Sequence, residues 1–187
     1  MDTEEQLETA IATLRTVVAG IEPGQLDNPT PCANFDVRTL LGHFLGNLES
    51  VAGGLRGRPM PAELAPRPDL VGDDPVKAYD AVMADFVAAV RSPGAMDRVL
   101  TVPFGEVPAP ALVGFVAFDL VVHGWDLATA TGQRYEPPDE LVAEVDAFAR
   151  QVVAPEWRDG DTFAAEVEPR SGAAPVERLV AFSGRQP

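Results

Sequence analysis

Cysteine and histidine are scarce in this chain. Cys32 is the single cysteine among 187 residues, so no intramolecular disulfide can form. Basic residues are also few: 14 Lys and Arg stand against 29 Asp and Glu, a formal charge of −15. A nucleic-acid binder needs the opposite sign, so phosphate-backbone recognition is argued against. Docking on an anionic membrane is disfavoured for the same reason, and the plain reading of the charge is solubility. The N-terminal stretch "MDTEEQLETAIATLRTVV" lacks a basic n-region and reads as an amphipathic helix, not a signal peptide. The longest apolar run, residues 107–122, is broken by Pro108, Pro110 and Asp119 and is too short to span a bilayer. The glycines of "GGLRGRP" follow no strand and have no Walker or Rossmann context, so phosphate binding there is rejected. Repeats and low-complexity tracts are absent. What is left is the expectation of one cytoplasmic domain over residues 1–187, its 46% apolar residues sufficient for a substantial core.

Helical spacing dominates what is present. Leu7, Ile11, Leu14, Val17, Val18 and Ile21 predict a first helix over residues 4–21, stopped by Gly20 and the Pro-rich "EPGQLDNPTPC". Asp36 is a candidate N-cap for a second helix through "VRTLLGHFLGNLESVAGGL". Residues 57–75 form a Pro- and Gly-rich loop, followed by a third helix, "VKAYDAVMADFVAAVRS". "RVLTVPFGEVPAP" suits a small strand or hairpin. A fourth long helix covers residues 109–131, with Gly132 as its stop. A fifth helix begins at Pro137 or Pro138, in "PPDELVAEVDAFARQVVA". In the tail, "TFAAEV" suits a strand and "PVERLVAFSG" a last short helix. The fold class is therefore mainly all-α: four long helices with a long crossover between the second and third, an extra helix and short β segments. Such bundles build metal and cofactor sites from inward-facing side chains.

The fourth helix carries the chemistry. At about 100° per residue, Asp119 and His123 lie about 40° apart, and Asp119 and Asp126 about 20° apart, so all three share one stripe. Their neighbours in "APALVGFVAFDLVVHGWDLA" are mostly apolar, and the helix has no Lys or Arg. A buried carboxylate costs several kcal/mol unless it is paired, hydrogen-bonded or metal-bound, and a cation is the simplest partner. Asp and His at i, i+4 can chelate one ion. His43 is the only other histidine and sits in similar surroundings, "LLGHFLGN", with Asn47 one turn later. His43, Asp119 and His123 would give two nitrogens and one oxygen, a three-ligand set that leaves positions open for water or substrate. Against this stands the reading of each histidine as a hydrogen-bonded core residue.

Taken together, "NPTPCANFDVRTLLGHFLGN" and "FDLVVHGWDLATATGQ" resemble the DinB/YfiT-like superfamily of metal-binding enzymes. More narrowly they resemble the branch that contains the N-terminal domain of mycothiol-dependent maleylpyruvate isomerase. The ending "VERLVAFSGRQP" is similar to that of a single-domain metal-binding subgroup. The resemblance implies a four-helix bundle with an open divalent metal site, whose ligands carry over to His43, Asp119 and His123. Zn²⁺ is the expected ion, with Ni, Fe or Mn as other candidates. Two departures stand out: Phe35 where relatives often have Trp, and Asp119 where the isomerase-like pattern carries the longer Glu.

The implied function is a divalent-metal-dependent thiol S-transferase or isomerase of mycothiol type, attacking a small electrophile through an activated thiolate. Mycothiol would be the cosubstrate, and a second copy of the chain, in a homodimer, the one candidate protein partner. Asp126 would orient an imidazole or act as a base; hydrogen bonding to backbone or to Arg134 is its other reading. Asn47 would hold substrate, and Phe44, Phe115 and Trp125 would help build an apolar slot. Cys32 is read as structural, and Arg185 as a surface residue or the partner of a buried acid or substrate carboxylate. A metal-water hydrolase and a non-catalytic metal or small-ligand binding module are the rival readings.

Overall fold

The computed structural model describes residues 1–32, 34–103, 105–158 and 163–187. Helix α1 (Thr3–Ala19) starts at a capping box: the Glu5 N–H donates to the Asp2 carboxylate at 2.9 Å, and Glu5 accepts from the Asp2 N–H. Helix α2 (Val37–Leu55) starts at the expected cap, with Asp36 accepting from the Thr39 N–H at 2.7 Å. Helix α3 (Pro75–Val90) is capped by Asp74 and has Pro75 in its first turn, where the missing N–H is not needed. Strands β1 (Val99–Val102) and β2 (Gly105–Pro108) pair antiparallel. Helix α4 (Ala109–Thr131) ends at Gly132, whose φ of 68° suits a residue without a Cβ. Helices α5 (Asp139–Val152) and α6 (Pro175–Phe182) follow. The expected strand in "TFAAEV" is a correction: its described part, residues 163–167, is no strand, and the Val167 N–H donates to Ala181 beside α6 instead. Thr162 lies outside the described residues.

Each of the four long helices packs on two others: α1 on α3 and α4, α2 on α3 and α4. Helix α5 covers α4 and part of α1, and α6 leans on α5 and α4. Phe44, Tyr79, Phe86 and Phe118 are the largest fully buried side chains, and each contributes about 1.5–3 kcal/mol by removal from water. Helix α4 is long and apolar enough to cross a membrane by length and composition. It is buried over 78% of its most apolar window, because it lies between α1, α2 and α5. That is the position of a core helix, apolar nearly all round.

The crossover from α2 to α3 folds back onto α2. The Arg67 N–H donates to the Gly42 carbonyl at 3.1 Å, and a Cβ at residue 42 would stand 2.5 Å from the Arg67 backbone. Glycine at 42 thus admits the crossover next to His43. Phe35 also lies beside His43, and its carbonyl accepts from both the N–H and the hydroxyl of Thr30, at 3.0 and 2.8 Å. Asn34 takes the left-handed conformation, φ 72°, which asparagine tolerates.

Candidate metal centre

Because α2 and α4 are neighbours, His43 and His123 face each other with ring centroids 5.7 Å apart and planes nearly perpendicular. On α4 the i, i+4 spacing brings Asp119 Oδ1 to 3.1 Å from His123 Nε2. Ligand atoms of His43, Asp119 and His123 all lie within 4.8 Å of one another. Two atoms bonded to one ion at about 2.0–2.2 Å stand about 2.8–3.6 Å apart at ordinary bond angles, so the Asp119–His123 pair is already at that separation. The buried His43 Nδ1 finds no hydrogen-bond partner among the described residues. Such an atom is costly to leave unsatisfied. The residues present therefore fit a divalent ion in chemistry and spacing.

His123 is held from behind. Its Nδ1 lies 3.0 Å from Asp126 Oδ2, and the Asp126 side chain is fully buried. Asp126 is gripped in turn by Arg185, with Nε 3.2 Å from Oδ1 and a terminal nitrogen 2.9 Å from Oδ2. The charge partner of Asp126 is thus a guanidinium from the far end of the chain, not a metal ion. Arg134, the other candidate, pairs with Glu136.

Burial and charge oppose each other here. Burial alone would lower the His123 pKa, but Asp119 and Asp126 outweigh it and raise it to about 9. Burial would raise both carboxylates; His123 outweighs it at Asp119, and His123 with Arg185 at Asp126, so both stay below the usual carboxylate range. Burial lowers His43, and Asp119 only partly offsets it. The ligand set therefore pairs a histidine that stays neutral with one that holds its proton until a competing cation displaces it.

The surroundings differ from end to end. Phe35 lies 5.2 Å from His43 by ring centroid, and Phe44 stacks 6.4 Å from His123. Asp119 keeps 29% of its side chain accessible, far more than His123 or Asp126, so solvent reaches the centre on its side. Asn47 sits 3.3 Å from His43 through its amide nitrogen, and its buried oxygen finds no partner among the described residues. Phe115, expected to line the slot, packs instead on Phe118 and Trp157. Trp125 is partly buried against the core. Phe35 entered the sequence reading only as a departure from a pattern; its place beside His43 goes with the hydrogen bonds from Thr30 to its carbonyl, which apolar spacing does not reveal.

Cys32, His123 and Asp126 also bring ligand atoms within 4.8 Å. This second grouping is the weaker one. Burial pushes the Cys32 thiol up to about 11, and both Asp126 oxygens are already engaged.

The chain is 35% identical to an uncharacterized protein of Mycobacterium tuberculosis, found alike in strains H37Rv and CDC 1551, across 97% of this chain and 94% of that protein. Its fold matches the crystal structure of the mycothiol-dependent maleylpyruvate isomerase with a TM-score of 0.61 at 15% identity, covering 79% of this chain and 69% of that one. A histidine-to-alanine mutant of the same enzyme matches equally, at 0.61 and 14% identity. Residues 7–128 match the family model of the mycothiol maleylpyruvate isomerase N-terminal domain, and the chain belongs to that family.

Proposed function

We propose that this chain is a divalent-metal-dependent enzyme that activates a low-molecular-weight thiol of mycothiol type against a small electrophile, as an S-transferase or isomerase. It would work in the cytoplasm, where small thiols are kept reduced. The observation that carries the reading is the convergence of His43, Asp119 and His123 from two packed helices, with Asp119 open to solvent. Zn²⁺ suits two imidazoles and a carboxylate; Ni, Fe and Mn are accommodated by the same donors. A metal ion held by these residues supplies the lowered thiol pKa that gives a thiolate at neutral pH.

The charges around His123 favour an anion once such an ion is in place. With its proton on, His123 and Arg185 balance Asp119 and Asp126. Exchanging that one proton for a divalent cation leaves one surplus positive charge in a buried setting, which a thiolate would neutralise. The chain's own residues do the rest. Asp126 would keep the proton on His123 Nδ1, so that Nε2, once it gives up its own proton, would present a lone pair. Asn47 offers an unpartnered amide oxygen to a bound donor. Phe35 and Phe44 line the histidines with apolar surface and exclude water on that side.

The sulfur–carbon bond forms with the thiolate electron pair, after the thiol proton has gone to solvent. In a transfer reaction the leaving group departs with the pair of the bond that breaks. In an isomerisation the adduct rotates and expels the same thiolate. The test is consumption of mycothiol with an activated aryl halide, and isomerisation of an unsaturated diacid. Metal-loaded protein should accelerate one of these, and Asp119→Ala should return the rate to that of metal-free protein. Equal rates for wild type and Asp119→Ala across thiols and electrophiles would falsify this reading.

A further inference from the structure

We infer that Arg185 is a positioning residue of the site: acting only through Asp126, it fixes the His123 imidazole with Nδ1 protonated and Nε2 turned to Asp119 and His43. The inference rests on the proposed metal site for its purpose, but not for its geometry. Arg185 lies far outside the stretch that matches the family model, residues 7–128, whereas His43, Asn47, Asp119, His123 and Asp126 all lie within it.

The tail is shaped to deliver this side chain. Helix α6 ends at Ser183, and the Gly184 and Arg185 N–H groups turn back to the carbonyls of Ala181 and Val180, at 3.0 and 2.9 Å. Gly184 has φ 93°, and a Cβ there would meet the Ala164 Cβ at 2.7 Å. Only glycine makes this turn without strain. The turn sends Arg185 inward to α4, where its side chain is 10% exposed. Both prongs of the guanidinium fork grip Asp126, and the remaining terminal nitrogen lies 3.3 Å from the Ser183 carbonyl and 3.4 Å from its hydroxyl. A planar fork on a carboxylate fixes the carboxylate plane. A side chain buried and engaged in this way is neither a surface residue nor free to capture a substrate carboxylate, so of the three sequence readings of Arg185 the buried acid fits the geometry.

The consequence falls on His123. Asp126 holds the imidazole by one oxygen, so rotation of an unsupported Asp126 would release the ring and lose the tautomer. Partners of metal-bound histidines typically set affinity by about 10–100-fold. Lysine at 185 would keep the charge and lose the fork; methionine would lose both.

The experiment uses the full chain and two readouts. Zinc affinity is measured by competition with a chromophoric chelator. The Nδ1–H proton of His123 is observed by ¹H–¹⁵N NMR in the metal-free protein, assigned with a His43→Gln variant. Arg185→Met should weaken zinc binding about 10–100-fold and broaden the Nδ1–H signal through faster solvent exchange. Arg185→Lys should fall between, and Gly184→Ala, which leaves the arginine intact but displaces it, should mimic Arg185→Met. In an Asp126→Asn background, Arg185→Met should have no further effect, since the two act as one unit. Unchanged zinc affinity and an unchanged signal in Arg185→Met, or additive losses in the double variant, overturn the inference. If Arg185→Met does not fold, Arg185→Lys and Gly184→Ala decide by the same two readouts. If wild-type protein binds no zinc, the proposed function fails by itself, and the inference is then judged by the Nδ1–H signal alone.

Discussion

Helices α4 and α5 lie side by side, and both carry acidic residues, yet the acids do different things. On α5 the side chains of Glu140 and Glu144 are 71% and 47% exposed, and Asp139 is exposed beside them. They occupy the polar face of an amphipathic helix whose other face buries Leu141, Val142, Val145 and Ala149. Water solvates them, Glu140 and Glu144 also stand 3.8 and 3.9 Å from the Met1 ammonium, and at such exposure the chain loses little if they change. On α4 there is no polar face to retreat to. Asp126 is buried completely and must find its partners inside the protein, while Asp119, 29% accessible, stands between His123 and solvent. The same residue type is surface solubility on one helix and organised chemistry on the next. The difference is made by the apolar residues around it.

The sharpest way to break this comparison is to remove both imidazoles. A His43→Ala, His123→Ala double variant should lose metal binding outright, against about one equivalent in wild type by the three-ligand argument. Elemental analysis after metal loading and desalting reads this directly, and full retention of the ion would sink the assignment of the centre.

The next effect is one of stability and concerns the metal-free protein. His123 has its pKa raised to about 9, so its protonated form is preferred in the folded state. That stabilisation is complete below the ordinary histidine value of about 6.5, falls as pH rises from there, and is gone above about 9. Asp119 and Asp126 are held low, so their contribution is present above the ordinary carboxylate range and disappears in acid. The melting temperature of chelated protein should therefore drop between pH 6 and pH 9.5, and His123→Gln should flatten the drop. Helical circular dichroism at room temperature should survive chelation, because the apolar core does not depend on the ion. Loss of helicity on chelation would make the centre structural.

The smallest effect belongs to α5. Glu140→Gln should shift stability by no more than about 0.5 kcal/mol. A larger change, measured by denaturant unfolding, would mean that the acidic face of α5 is more than a solvated surface.

Most of this contrast was legible in the sequence. The spacing of Leu7, Leu14 and Val18, the cap at Asp36 and the stop at Gly132 are local signals, and the helices follow them to within a few residues. His43, Asp119 and His123 stood out because imidazoles and carboxylates were rare in apolar stretches. That Arg185 could pair with a buried acid was legible, but not that the acid is Asp126, since 59 residues separate them and no periodicity links an arginine in a tail to a helix it does not belong to. Nor was the place of Phe35 legible, which goes with the hydrogen bonds from Thr30 to its carbonyl. The strand expected in "TFAAEV" failed because apolar content in so short a stretch does not distinguish a strand from an irregular segment covering a helix.

The apolar character of α4 gives Asp119 a second effect. By itself, Ala109–Thr131 has the length and hydropathy of a helix that crosses a membrane. Asp119 stands near the middle of that helix, where an aspartate opposes insertion by about 2.5–3.5 kcal/mol. The carboxylate proposed to hold a metal ion in the finished protein thus also makes this helix a poorer membrane segment, and an Asp119→Leu variant would change both properties at once.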